Sequence, residues 1–173
     1  MTLVGAQPIT DKILNVLFVG ESNTARSIIA EALLSRLGGN AFQVFSAGRN
    51  PAAHLGAHTL EVLKQAGCPT ESLRPKSWNE FVSPSAPTLD VVITLDEGLK
   101  NGPFPIWYNK PVHVHWPFAN PQALSHNDSE LQGAHRRLYG DMEQQMLKLA
   151  GLKLAGLSNY ALQTKLMSIT PKP

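Results

Sequence analysis

A polar segment between two apolar ones carries the residue types of an anion-binding site. It reads Gly20-Glu21-Ser22-Asn23-Thr24-Ala25-Arg26-Ser27. The guanidinium of Arg26 can hold two oxygens of a tetrahedral oxyanion at once, and the hydroxyl and amide side chains can add further contacts. An ordinary capped turn with a solvated arginine is the alternative, since polar loops are common. The segment is neither a Walker loop nor a dinucleotide-binding loop, because the glycine spacing of both motifs is absent.

The residues on either side of this segment predict a strand, a tight loop and a helix. Residues Ile13 to Val19 are almost wholly apolar, as expected of a strand that is buried on both faces of a parallel sheet. From Thr24 the apolar residues recur at helical spacing until Gly38 and Gly39 stop them. The backbone N–H groups of the loop and the positive end of the helix would then attract an anion.

The rest of the chain repeats the alternation of strands and helices. Strands are predicted at residues 42–46, 89–95 and 111–116. Helices are predicted around Leu60 with an end at Gly67, from an Asp128 N-cap to Ala150, and after a Ser158 cap. This order predicts an α/β three-layer sandwich with a four-stranded parallel sheet, and ligands at the carboxyl ends of its strands.

Length and composition limit the classes of protein to consider. A chain of 173 residues predicts a single domain over residues 1–173, with a core at about 13–168 and a flexible N-terminal tail at 1–12. The content of 43% hydrophobic and 16% charged residues excludes a disordered chain. A net charge of +2 predicts no nucleic-acid partner. No apolar run suits a membrane span or a leader, so we expect no membrane partner and a cytoplasmic location.

Several longer phrases carry a resemblance to a known family. VLFVGESNTARSIIAEALL resembles the opening of the low-molecular-weight phosphotyrosine phosphatase family and its arsenate reductase relatives, whose loop is Cys-x5-Arg after a hydrophobic strand. FSAGRNP, SLRPKSWNEF, SAPTLDVVITL and HWPFANP follow in the family's order, over about residues 13–125. SLRPKSWNEF and the Pro-rich linker at Trp107 resemble the arsenate reductase branch in particular.

The resemblance implies a ligand and a set of binding residues. The ligand is a phosphate-like or arsenate-like oxyanion, free or on a phosphorylated protein, and no cofactor is implied. The residues that would hold it are Glu21, Ser22, Asn23, Thr24, Ala25, Arg26 and Ser27.

The positions that carry the family's chemistry differ in this chain. Gly20 stands where the family has its nucleophilic cysteine, and Asn120 stands where it has the general acid of an Asp-Pro pair. Asp96 and Phe104 align with the two cysteines that resolve the intermediate in the reductase branch. The resemblance therefore implies a catalytically impaired homologue that keeps the oxyanion loop.

Two other functions fit the same residues. One is an active phosphatase or reductase that uses a substitute nucleophile, such as Asp96, Glu21 or an activated water. The other is a protein-interaction domain that has kept only the fold. We expect Asp96 to cap the short helix that follows it and the Glu21 carboxylate to face solvent, which would disfavour the first of these.

The remaining reactive side chains have simpler interpretations. His113 and His115 share one strand face, and His54 and His58 are four residues apart on a predicted helix, so either pair could bind a metal. Hydrogen-bonded histidines and a solvated helix face are more usual, and we expect no metal site. Cys68, the only cysteine, follows a helix end and is expected to be an inert turn thiol. The three tryptophans, Trp78, Trp107 and Trp116, are expected in the core or in pocket walls.

Overall fold

The computed structural model describes residues 12–172. Its strands are β1 (Leu14–Gly20), β2 (Phe42–Gly48), β3 (Val91–Thr94) and β4 (Val112–His115). Its helices are α1 (Arg26–Leu37), α2 (Ala57–Gln65), α3 (Asp128–Ala150) and α4 (Asn159–Ser168). The four strands run parallel in the order β2-β1-β3-β4, so the predicted α/β class and four-stranded parallel sheet are confirmed. The predicted N-terminal tail lies outside the described residues, apart from Lys12.

One face of the sheet packs against the four helices. Because successive side chains of a strand point to opposite faces, every second residue of β1, β3 and β4 joins this layer. The buried side chains from the sheet are those of Leu14, Val16, Phe18, Val91, Ile93, Val112 and Val114. Helix α3 supplies Leu138, Met142, Met146 and Leu149, which are spaced for one helical face as the sequence predicts.

The opposite face is covered by short 3-10 turns and a linker instead of long helices. Leu17, Val19 and Val92 on this face pack with two aromatic residues of the 3-10 turn Trp78–Phe81 and with Trp107 of the Pro-rich linker. Burial of all three tryptophans in the core confirms their predicted place. This layer is compact because aromatic side chains bury much area per residue.

The starts of α1 and α4 agree with the sequence pattern, whereas the cap of α3 differs from the predicted one. Helix α1 begins at Arg26, close to Thr24, after which the apolar residues recur at helical spacing. Helix α3 is capped by Asn127, whose side chain accepts from the N–H groups of Ser129 and Glu130, so the predicted cap at Asp128 is wrong. Asn127 and Asp128 are both residue types that cap helices. A cap residue has an extended backbone, as Asn127 does, whereas Asp128 is already the first residue of the helix. The predicted Ser158 cap of α4 is confirmed by its bond from the Ala161 N–H.

Over residues 12–172, no helix is both long and apolar enough to cross a bilayer.

Candidate functional site

The carboxyl ends of three strands meet at the loop that follows β1. Gly20, the last residue of β1, pairs with Gly48 at the end of β2, and Val19 pairs with Thr94 at the end of β3. The loop 21–25 then leads directly into α1. The strand-loop-helix arrangement that the sequence predicts for this segment is therefore present, with β2 on one side and the residues after β3 on the other.

The carbonyl groups of the loop are bound on its β2 side. The oxygens of residues 20, 21 and 22 accept hydrogen bonds from the backbone N–H groups of Arg49, Asn50 and Ala52 at 3.2, 2.8 and 3.0 Å. A Cβ atom on Gly48 would lie 2.9 Å from the Glu21 carbonyl oxygen, so only glycine lets β2 end this close to the loop. Since the C=O and the following N–H of a trans peptide point in opposite directions, the next N–H groups face away from β2.

These N–H groups form a run of unused donors. Among residues 12–172 we find no protein acceptor for the backbone N–H groups of Ser22, Asn23, Thr24 and Ala25. The next two N–H groups lie in the first turn of α1, where no intrahelical acceptor exists. The positive end of the helix dipole adds to the same field. Donors arranged in this way can attract an anion.

A small pocket lies inside this loop. Its volume is about 20 Å³, which is close to the room that one water molecule needs. Three residues outside the predicted binding segment also line it, namely Gly20, Asp96 and Asn120. All seven residues predicted to hold an oxyanion line this one pocket: Glu21, Ser22, Asn23, Thr24, Ala25, Arg26 and Ser27.

The guanidinium of Arg26 is buried and paired. Its Nη2 donates to Asp96 Oδ2 at 2.7 Å, and its Nη1 donates to the Phe118 carbonyl oxygen at 2.9 Å. Its side chain is only 10% exposed, so the alternative of a solvated arginine in an ordinary turn is wrong. The charge of Arg26 faces the pocket together with the carboxylate that it binds.

Asp96 contacts the loop and does not cap a helix. Oδ2 of Asp96 accepts from the Glu21 N–H at 2.9 Å as well as from Arg26. The 3-10 turn Glu97–Leu99 follows Asp96, yet no side-chain bond caps that turn. The predicted capping role is therefore wrong, because two strong donors at the carboxyl edge of the sheet compete for the carboxylate.

The carboxylate of Glu21 is held at the rim of the loop. It pairs with Arg49 Nη2 at 2.7 Å and accepts from Asn50 Nδ2 at 2.7 Å, and its side chain is 39% exposed. The expected orientation toward solvent is thus accompanied by an ion pair that the sequence analysis did not anticipate. The pair neutralises the negative charge that would otherwise repel an anion.

The buried side chain of Asn23 connects the loop to the rest of the structure by hydrogen bonds. Its φ of 54° lies in the left-handed region, which asparagine adopts more readily than most residues. Its buried amide Nδ2 donates to Ser27 Oγ at 2.8 Å and to Ser46 Oγ at 3.0 Å, and its Oδ1 accepts from the Lys76 N–H at 3.0 Å. The Asn23 side chain therefore joins the loop to Ser27, Ser46 and Lys76. The hydroxyl groups of Ser22 and Thr24 bond to each other at 2.9 Å.

A buried ionic network behind the loop was missed by the sequence analysis. Lys76 Nζ lies 3.6 Å from Glu31 Oε2, and the Ser46 hydroxyl donates to the same carboxylate. Burial raises the pKa of Glu31 and lowers the pKa of Lys76, while their mutual attraction opposes both shifts. A charged residue within the apolar run of α1 was the available signal in the sequence.

The four positions that resemble vacated catalytic positions do not all lie together. Gly20, Asp96 and Asn120 line the pocket, whereas Phe104 does not. Phe104 packs against His113, with ring centroids 4.2 Å apart, on the second face of the sheet. The side-chain oxygen of Asn120 accepts from the Gln122 N–H at 3.1 Å and caps a 3-10 turn.

The other predicted candidates lie away from this pocket. His115 Nδ1 is within 2.8 Å of Thr94 Oγ1, as expected of a hydrogen-bonded histidine, whereas Nε2 of His113 is buried and lacks a hydrogen-bond partner in the described chain. His54 precedes α2, so its predicted helical spacing to His58 is wrong. Within the described part of the chain, no cluster of three or more histidine, cysteine, aspartate or glutamate residues could hold a metal. Cys68 is buried in the core against the helices, as expected of an inert thiol.

Two solved arsenate reductases that are 28% identical to this chain share its fold. A thioredoxin-dependent arsenate reductase of Corynebacterium glutamicum is 28% identical, with a TM-score of 0.55 over 79% of this chain. This chain spans only 61% of the length of that protein. An arsenate reductase from Archaeoglobus fulgidus is also 28% identical, with a TM-score of 0.63 over 79% of this chain and 99% of the other.

More distant comparisons add the fold alone. An arsenate reductase in its phosphate-binding state is 21% identical, with a TM-score of 0.64 over 80% of this chain and 97% of the other.

Among curated proteins, none matches the sequence. Residues 15–150 match the family described as low molecular weight phosphotyrosine protein phosphatase. The chain therefore belongs to the low molecular weight phosphotyrosine protein phosphatase family.

Proposed function

We propose that this chain is a single-domain member of the arsenate reductase branch that has lost cysteine chemistry and kept an oxyanion-binding loop. Its ligand is phosphate or arsenate, either free or as the phosphoryl group of a partner protein. The loop residues Glu21 to Ser27 hold the ligand, and no cofactor takes part.

The run of unused N–H groups is the observation that carries this proposal. Residues 22–25 donate to no acceptor in the described chain, and the first turn of α1 continues the run into the same pocket. Several backbone N–H groups that have no protein acceptor and line one pocket form the kind of concave donor site that binds anions. Arg26 supplies the charge and the fork geometry that a tetrahedral oxyanion needs.

The absence of a thiol at the pocket argues against the family's covalent route. Gly20 has no side chain, and the only cysteine, Cys68, is not among the residues that line the pocket. A thiolate nucleophile needs the field of the same N–H groups and arginine to form at neutral pH. Binding of the oxyanion uses these groups without moving electrons, so it can persist where the chemistry is lost.

The replaced general acid supports the same conclusion. Asn120 lies at the pocket, but an amide cannot donate a proton as a carboxylic acid does. Loss of general acid catalysis typically costs a factor of about 10² to 10⁴ in rate. The aligned positions for the resolving cysteines hold Asp96 and Phe104, neither of which forms a disulfide.

A phosphatase with a carboxylate nucleophile is the second candidate. Asp96 Oδ2 lies 3.8 Å from the place where a Cβ atom of residue 20 would be. This enzyme would hydrolyse an aryl phosphate above the buffer background, and Arg26→Ala would abolish the reaction. No such hydrolysis is expected, because Asp96 is ion-paired with Arg26, the residue that would have to hold the phosphate.

Calorimetric titration with phosphate and then arsenate, at low salt, tests the proposal. Saturable binding is expected, and Arg26→Ala should weaken it at least about tenfold, since a charged hydrogen bond contributes roughly 1.5 to 3 kcal/mol. Arg36→Ala is the matched control, because it removes the same charge from the last turn of the same helix. If Arg26→Ala binds both ions as the parent and Arg36→Ala do, the loop is not an oxyanion site. The same follows if folded protein binds neither ion up to about 5 mM even after replacement of Asp96, the carboxylate in the pocket.

A further inference from the structure

We propose that Asp96 is the resident anion of the loop, and that an external oxyanion binds by displacing the Asp96 carboxylate. The inference rests on the proposed oxyanion-binding function and adds the residue that sets its affinity. The loop is then a closed site that a ligand has to open.

The geometry of Asp96 is that of a bound ligand. Its Oδ2 takes hydrogen bonds from a backbone N–H of the loop, that of Glu21, at 2.9 Å and from the Arg26 guanidinium at 2.7 Å. A backbone donor of the loop and the arginine at its end are the groups that an oxyanion would use here. An oxyanion and Asp96 therefore compete for Arg26 and for the Glu21 N–H, whereas the N–H groups of residues 22–25 are not bonded to Asp96.

The volume of the pocket leads to the same conclusion. With Asp96 in place, about 20 Å³ is open, which is enough for roughly one water. A tetrahedral oxyanion has a central atom and four oxygens and is larger than one water, so the Asp96 carboxylate reduces the space that is left for it. Displacement of Asp96 frees both the space and the donors.

The charges around the pocket are balanced while Asp96 occupies it. Arg26 is neutralised by Asp96, and Glu21 is neutralised by Arg49. An approaching anion thus meets little net attraction until the carboxylate leaves, after which the charge of Arg26 is exposed to it. Asp96 is 20% exposed at its side chain, so a path to solvent exists.

The consequence is a lower apparent affinity. If Asp96 occupies the loop nine-tenths of the time or more, external ligands bind at least about tenfold more weakly than the loop itself allows. Removal of the carboxylate should therefore strengthen binding, which is the opposite of what truncating an ordinary binding-site residue does.

Sulfate titration of the full chain tests this competition. Sulfate is a tetrahedral dianion whose charge does not change near neutral pH, so it reports on the loop alone. Asp96→Asn, which keeps the size of the side chain, should lower the dissociation constant at least about tenfold relative to the parent. Asp96→Ala should lower the dissociation constant as well. This second variant keeps the test informative if Asp96→Asn fails to fold. Glu97→Gln is the matched control, since it removes one negative charge from the next, exposed position.

Three results are distinguishable. Tighter binding in both Asp96 variants, with Glu97→Gln within about twofold of the parent, supports displacement. Equal binding in the parent and the Asp96 variants, lost in Arg26→Ala, overturns the role of Asp96 and leaves the proposed function standing. No binding by any folded variant, with Asp96 removed, overturns the proposed function itself.

Discussion

The side-chain oxygen of Asn23 accepts a hydrogen bond from the backbone N–H of Lys76, 53 residues further along the chain, at 3.0 Å. The nitrogen of the same amide donates to Ser27 and Ser46, so one buried side chain joins the loop, the start of α1 and the end of β2. The loop is therefore shaped by contacts that lie beneath it. This relationship makes the stability of the fold sensitive to a residue that also belongs to the binding site.

Asn23→Ala should destabilise the protein by about 3 kcal/mol. The substitution leaves buried partners unsatisfied, at roughly 1 to 3 kcal/mol, and alanine at a positive φ adds about 1 kcal/mol. Urea unfolding followed by tryptophan fluorescence measures the change, since all three tryptophans are buried.

Asn50→Ala provides the matched control for this prediction. Asn50 is an exposed asparagine whose amide contacts the rim carboxylate of Glu21, and its truncation should change stability by about 0.5 kcal/mol or less. Similar free energies of unfolding for the Asn23 and Asn50 variants would show that the buried network does not hold the loop.

Gly20→Cys should place a reactive thiol at the base of the pocket. The φ of Gly20 lies outside the left-handed region, and the new Cβ would be 3.3 Å from Ser27 Oγ, which a small side-chain shift relieves. Unused N–H groups and Arg26 favour a thiolate there, so alkylation by iodoacetamide at pH 6.5 should be at least about tenfold faster than that of Cys68. Mass spectrometry of the digested protein identifies which thiol has reacted.

Phosphate and Asp96 provide two checks on the introduced thiol. Phosphate should slow its alkylation, because both need the same donors. Gly20→Cys combined with Asp96→Asn should react faster still, since a carboxylate 3.8 Å from the new Cβ opposes a thiolate. A thiol at position 20 that reacts no faster than Cys68 would contradict the existence of an anion-stabilising field in the loop.

The strand, loop and helix of the site could be predicted because their signals are local. Apolar residues over 13–19 and helical spacing after Thr24 place the loop between β1 and α1 without knowledge of any distant contact. The same pattern brought all seven predicted residues to one pocket. Periodicity and residue type suffice where neighbours in sequence are also neighbours in the structure.

The roles of Asp96 and Lys76 could not be predicted for the converse reason. Asp96 reaches Arg26 across 70 residues of chain, and its partner depends on the register of β3 beside β1. The local sequence predicts a helix cap for the Asp96 carboxylate. In the structure the carboxylate instead accepts hydrogen bonds from the Glu21 N–H and from Arg26, and it caps no turn. Lys76 is buried only because the chain after β2 returns to pair with Gly48, which no local pattern reveals.

Stability should fall on acidification because burial lowers the pKa of His135. Its Nδ1 lies 2.7 Å from the Leu131 carbonyl oxygen, its Nε2 is buried without a partner, and the ring of His58 is 5.3 Å away. The unfolded chain takes up a proton near pH 6.5 while the folded chain resists it. Stability is therefore complete above pH 6.5 and is lost as pH falls toward the lower folded pKa, by at most about 1.4 kcal/mol per pH unit for one proton.

Burial and the neighbouring His115 also lower the pKa of His113, which adds to the loss of stability over the same pH range.

Free energies of unfolding measured at pH 7.5 and 5.5 separate the contribution of His135 to the pH dependence of stability from that of the other titratable groups. His135→Gln cannot take up the proton, so its stability should change less between the two pH values than that of the parent. His126→Gln removes an exposed histidine and should keep the parental pH dependence. Because the comparison uses the difference between two pH values, a variant that is less stable at both remains informative. An unchanged pH dependence in His135→Gln would mean that His135 takes up its proton as readily in the folded chain as in the unfolded one.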